Sequence, residues 1–190
     1  MVCAGSLSSC NKTNTPVTPA TNSDTTYYLN HSLFEQGGKP SLNGWTFIPA
    51  QADDTIDFEL DTPPGKGMWS FKLHTSDLLG ALNTVSQSFT NLKSGVYNLT
   101  VWLKYKYILA PGSFPPGSIS IIKTNGGTVS VTSQYGTDST TWHPQTLLDT
   151  LSLLPGDTVT VALSAGARSV TSTLHGNPMW VDDISFFRLP

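Results

Sequence analysis

From residue 26 onward, apolar and polar positions alternate in short runs separated by turn residues. The runs that read as strands are 26–30, 55–60, 68–74, 83–90, 96–107, 117–124, 128–134, 143–153, 157–166 and 178–189. Between them stand Pro63-Pro64-Gly65, Lys93-Ser94-Gly95, Pro115-Pro116-Gly117, Asn125-Gly126-Gly127 and Pro155-Gly156-Asp157. Many short alternating strands with such punctuation predict an all-β sandwich or barrel. No helical periodicity competes with them; residues 76–84 have the pattern of one helical turn at most.

Two strands say more than the rest. In the strand at 96–107, Tyr97, Leu99, Val101, Leu103 and Tyr105 share one face, and Asn98, Thr100, Trp102, Lys104 and Lys106 share the other. The first set is the core face. Trp102 then stands among polar residues, as a candidate platform or under a covering loop. The last strand contains Met179-Trp180-Val181-Asp182-Asp183-Ile184-Ser185-Phe186-Phe187. Strict alternation puts Trp180, Asp182, Ile184 and Phe186 on one face and Val181, Asp183, Ser185 and Phe187 on the other. Neither register exposes both carboxylates without exposing large apolar side chains as well. One of them, Asp182 by preference, is expected to face inward or sit at an edge. An unpaired buried carboxylate is costly, so it needs a cation, backbone N–H groups or an Arg. A hard cation bound by oxygens suits the position, and Ca²⁺ is the usual choice outside the cytoplasm.

Composition narrows the function classes. The chain has 190 residues and a formal net charge of −3, too mild for a nucleic-acid partner. Charged residues make up only 12%, against about 25% in ordinary domains. No apolar run is long enough for a transmembrane helix. Both cysteines, Cys3 and Cys10, lie within the first ten residues. That excludes a disulfide framework and a thiolate zinc site in the rest of the chain. Residues 11–26 are almost all Asn, Thr, Pro, Ser and Ala, without periodicity, and read as a polar tether.

Leu7-Ser8-Ser9-Cys10 resembles the lipobox of bacterial lipoproteins, in which the chain is cleaved before the Cys and the Cys is acylated. The resemblance implies a signal-peptide remnant at 1–9, a lipidated Cys10 with its linker at 10–26, and a folded domain at 27–190. It also implies a bacterial cell-envelope location, lipid-anchored at the outer membrane or cell surface or facing the periplasm.

Further along come Asn30, Phe34-Glu35, Gly37-Gly38 and Gly44-Trp45, then Pro64-Gly65 running to Trp69-Ser70-Phe71-Lys72-Leu73. Gln87, Phe89, Leu92, Gly95, Tyr97, Leu99 and Trp102 follow, then Trp142, then Val181-Asp182-Asp183-Ile184. In order and spacing these are similar to the CenC-type carbohydrate-binding-module-like jelly rolls of the galactose-binding-like superfold. The resemblance implies a β-sandwich jelly roll of two antiparallel sheets. It also implies a structural Ca²⁺ where the early Glu meets the late Asp: Glu35 and Asp182, with Asp183 as a possible substitute and backbone carbonyls near Lys72 completing the shell.

No catalytic pattern stands out. His31, His74, His143 and His175 form no metal-binding pair, and there is no nucleophile elbow. The carboxylates Asp57, Glu59 and Asp61 share a strand face and read as a solvated face rather than a glycosidase pair. The expected function is non-catalytic binding of a polysaccharide or other glycan, with the membrane as second partner. The expected ligand residues are Trp102, Tyr107, Trp69 and Trp142, with Lys104 and Asn98 as polar neighbours. Trp45 and Trp180 are expected in the core. The alternative is a structural, adhesion or assembly domain that binds another surface protein through Tyr107, Ile108, Leu109 and Phe114.

Overall fold

The computed structural model describes residues 25–32, 34–52, 54–74, 82–106, 117–135, 139–165 and 178–190, without the side chains of residues 30–32 and 135. Among these residues the regular structure is entirely β. In chain order the strands are β1 (Thr26–Ser32), β2 (Glu35–Gln36), β3 (Lys39–Pro40), β4 (Thr46–Ile48), β5 (Ile56–Glu59), β6 (Ser70–Leu73) and β7 (Thr84–Thr90). They continue as β8 (Gly95–Tyr105), β9 (Gly117–Asn125), β10 (Thr128–Tyr135), β11 (His143–Leu151), β12 (Thr158–Ala165) and β13 (Met179–Arg188). A six-stranded sheet has the order β11-β8-β13-β6-β5, with β1 also paired to β13. A five-stranded sheet has the order β10-β9-β12-β7-β4, and β2 and β3 form a small hairpin. Every pairing is antiparallel. The two sheets make a β-sandwich, one of the two architectures the strand pattern predicts, and its jelly-roll form is the one the resemblance implies.

The core lies between the sheets. β8 contributes Tyr97, Leu99, Val101, Leu103 and Tyr105, all buried. Facing it are Val85 from β7, Ile119 and Ile121 from β9, and Val159, Val161 and Leu163 from β12. Each set sits at every second residue, which is what a strand with one buried face requires. The ten strands read from alternation are all present, with ends shifted by a few residues. β2, β3 and β4 escape that reading, because two or three residues are too few to show a period. Asn125 and Thr128 close a hairpin over Gly126 and Gly127, whose φ values of 50° and 91° are open to glycine. The helical turn expected at 76–84 falls mostly outside the described residues; Thr84 begins β7.

β13 departs from simple alternation. Its register against β8 shifts between Asp182 and Ser185, and Asp183 has φ of 45°. This is a β-bulge with one residue in the left-handed region. Before it, Val181 points into the core; after it, Ile184 and Phe186 do. Trp180 and Asp182 stay on the outer face, paired in register with Lys104 and Trp102 of β8. The bulge therefore resolves the register conflict in the sequence: the extra residue keeps both carboxylates off the core face while the apolar residues on either side remain inside. β1 runs alongside the second half of β13, from Thr26 opposite Arg188 to Ser32 opposite Ile184. The start and end of the folded region thus lie together.

Candidate functional site

The two outer faces of the sandwich differ in chemistry. On the five-stranded sheet, the described outward residues are Thr84, Ser86, Ser88 and Thr90 of β7, Thr158, Thr160, Ala162 and Ser164 of β12, and corresponding Ser, Thr, Ile and Val residues of β4, β9 and β10. Their hydroxyls pair with each other: Thr84 with Ser164, Ser88 with Thr160 and Ser120 with Ser133, each at 2.8 Å. None of these outward residues is aromatic or charged.

The outer face of the six-stranded sheet carries indoles, ammonium groups and carboxylates in one network. Antiparallel pairing lines up Trp180 of β13 with Lys104 of β8 on one side and with Lys72 of β6 on the other. The Lys104 Nζ lies 4.8 Å from the Trp180 ring centre and 5.7 Å from that of Trp142, and the Lys72 Nζ lies 5.1 Å from Trp180. These are cation–π distances. The carboxylates of the β5 segment hold the network from the sheet edge. Glu59 accepts from the Trp180 indole at 2.7 Å and from Lys72 at 3.0 Å. Asp61 accepts from the Trp142 indole at 3.0 Å and forms an ion pair with Lys104. Asp57 contacts His74 at 2.7 Å. Burial raises the Glu59 pKa, but the hydrogen bonds from Trp180 and Lys72 and the charges of Lys72 and Lys104 outweigh it, so Glu59 titrates below an ordinary Glu. Burial lowers the Lys104 pKa, opposed by the charge of Glu59.

The residues expected to bind ligand divide over this face. Trp102, Lys104 and Trp142 come together, all partly exposed. The Lys66 Nζ lies 5.7 Å from the Trp102 ring centre, so the segment between β5 and β6 reaches over this indole. Trp69 stands apart and donates to the Gly38 carbonyl of the β2–β3 turn at 3.3 Å. Asn98 is on the same face further along β8, bonded to Thr100 at 3.0 Å. Tyr107 and Cys10 lie outside the described residues, as do Ile108, Leu109 and Phe114. Trp45 packs in the core against Phe34, as expected. Trp180 is buried, but on the outer face beneath two lysines rather than in the apolar core.

Sequence reasoning missed Glu59, Asp61, Lys66 and Lys72. The carboxylates are not a merely solvated face, because each is bonded to an indole, an ammonium or both. The signal was present as opposite charges on adjacent strands, with Asp57 directly across from Lys72.

The carboxylates of β13 form a second cluster. Asp182 has no exposed surface and Asp183 is 4% exposed. The Asp183 Oδ2 is 2.6 Å from the Lys66 Nζ. The Asp182 Oδ1 accepts from the Asp183 backbone N–H at 2.8 Å, while its buried Oδ2 has no hydrogen-bond partner. Burial raises the Asp182 pKa to about 7; the charges of Asp183 and Glu35 add to the rise, and the backbone hydrogen bond and Lys66 oppose it. Glu35 is fixed by the Met68 N–H, 3.2 Å from its Oε2. Among the described residues no three His, Cys, Asp or Glu side chains are grouped to hold a metal ion. The charge of Glu35 acts on Asp182, whose Oδ2 has no hydrogen-bond partner, so these two carboxylates are the pair that could hold a hard cation. Asp183 is not one of them, because its carboxylate already holds an ammonium.

No protein-family model matches the sequence, and no curated protein matches it. Solved structures share the fold. The enzymatically active domain of bacteriophage CBA120 tailspike protein 4 superposes with a TM-score of 0.59 at 16% identity, over 85% of this chain and 22% of that one. This chain spans only about a fifth of the tailspike chain. TmCBM61, solved in complex with beta-1,4-galactotriose, matches with a TM-score of 0.53 at 17% identity, over 86% of this chain and 99% of that one. The CBM22-1 xylan-binding domain of Paenibacillus barcinonensis Xyn10C matches with a TM-score of 0.55 at 17% identity, over 86% and 94%. At these identities the likeness shows the fold, a β-sandwich of the kind seen in carbohydrate-binding modules.

Proposed function

We propose that this protein is a membrane-anchored, non-catalytic module that binds a carbohydrate on the outer face of its six-stranded sheet. The observation that carries the reading is the Trp102–Lys104–Trp142 group with Asp61, placed on the outer face that, among the described residues, bears the indoles and charges. Sugar rings present apolar C–H faces and a rim of hydroxyls. Partly exposed indoles offer stacking surface to the first, and lysine and carboxylate groups offer donors and acceptors to the second. Trp69 and Asn98 would extend the contact, and Tyr107 belongs to the same proposal. The structural neighbours solved with galactotriose or named for xylan support a glycan as ligand class. In this reading the domain is a jelly roll of the CenC type, whose motifs the chain resembles.

In this reading Cys10 carries the lipid, and residues 11–26 hold the domain off a bacterial envelope membrane. Ca²⁺ held by Glu35 and Asp182 would neutralise the buried carboxylate and tie the first hairpin to β13. The cation has a stabilising role here and takes no part in ligand chemistry. The test is a glycan array with wild type and Trp142→Ala. Retention of one glycan class by wild type, with at least a tenfold loss in the variant, supports the reading. Absence of any retained glycan overturns it.

A further inference from the structure

The sandwich has five free strand edges among the described residues, and four are guarded. β4 has three residues and β5 has four, with Asp57 and Glu59 among them. β11 carries Pro144 and Asp149. β1 is broken by two register shifts against β13. Short length, charge, proline and irregularity are the usual devices that keep an edge from pairing with another chain. β10 has none of them. Its eight residues, Thr128–Tyr135, include no charge, no Pro and no Gly, and pair with β9 without a register shift. Val129 is 59% exposed and Val131 55%, and both lie on the outer face beside Thr124 and Ile122. The Asn125–Thr128 pair closes the hairpin, so alternation of the ladder aims the N–H and C=O groups of Val129, Val131 and Ser133 at the open side.

We propose that β10 is a self-association edge, at which two copies of this chain pair antiparallel across a two-fold axis to continue the five-stranded sheet from one molecule into the next. The choice of a second copy rests on charge. Across a two-fold axis the residue at the axis meets its own copy and the residues on either side meet each other, so a charge at the strand centre would face a like charge; β10 places the uncharged, exposed Val131 there. A different partner would place no such demand on β10. An axis near Val131 brings the two Val131 side chains together on the outer face and sets Val129 opposite the partner copy's Ser133. The two-fold closes the contact, because each copy has one such edge and uses it once.

The test is sedimentation velocity over a concentration series, with hydrogen exchange read at Val129, Val131 and Ser133. Wild type is expected to pass from monomer to dimer, with exchange at those amides slowing as the dimer forms. Val131→Lys, at an exposed position that leaves the core untouched, is expected to weaken the dimer by at least tenfold. Leu148→Lys, equally exposed on β11, is the control and is expected to leave the dimer unchanged. Wild type that stays monomeric, a dimer unaffected by Val131→Lys, or open-ended assembly in place of a dimer would each overturn the proposal.

Discussion

Replacing Asp182 with Asn tests the reading of the buried carboxylate quantitatively. The Asp182 carboxyl is held at about 7 in the fold, against a reference value of 3.8. Between those two values the native state keeps a proton that the unfolded chain has released. Stability of the metal-free protein therefore falls as pH rises from about 4 to about 7, and this contribution is flat above that. At about 1.4 kcal/mol per pH unit the full loss is about 4 kcal/mol. Roughly 1.5 kcal/mol of it is already lost at pH 5, which leaves about 2–3 kcal/mol between pH 5 and pH 8. The amide introduced by Asp182→Asn keeps an oxygen for the Asp183 N–H and does not titrate. Urea unfolding in EDTA at both pH values is the assay. The variant is expected to gain about 2–3 kcal/mol on wild type between pH 5 and pH 8. Ca²⁺ should then stabilise wild type at pH 8 and do little for the variant. Parallel pH dependences of the two proteins in EDTA would refute the account of Asp182.

Three further outcomes are expected. A Cβ at Gly117 would lie 2.8 Å from both the Ser164 carbonyl oxygen and the Met179 sulfur. Gly117→Ala should cost about 1–3 kcal/mol in thermal unfolding. The bulge at Asp183 puts Ile184 in the core and Ser185 outside it, so Ile184→Ala should cost about 2–5 kcal/mol and Ser185→Ala close to nothing. If Cys10 is acylated, Cys10→Ser should move the protein from the detergent phase to the aqueous phase on phase separation of envelope extracts.

The sandwich was legible because most strands are long enough for a period of two to appear, as in Tyr97 to Tyr105 and Val159 to Leu163. Two things hid the rest. A bulge breaks the period locally, and in β13 one left-handed residue moved Ile184 and Phe186 to the face opposite the one expected from Trp180. Cross-strand partners are also set by register, which no single strand shows. Trp102 was legible as an outward indole, but Lys66 above it and Asp61 beside Trp142 come from the segment between β5 and β6. The carboxylates at 57, 59 and 61 read as solvated for the same reason: their partners, His74 for Asp57 and lysines and indoles for Glu59 and Asp61, lie elsewhere in the chain. The buried aspartates announced a conflict in the sequence, and the partner that meets Asp183 is a lysine more than a hundred residues earlier.

The proposed site is tested most directly by following backbone amide and indole N–H signals in NMR while titrating a glycan retained on the array. The indoles of Trp102 and Trp142 should shift with the ligand, while that of core Trp45 stays still. Shifts confined to the Ser and Thr residues of the five-stranded sheet, with Trp102 and Trp142 unmoved, would contradict the assignment.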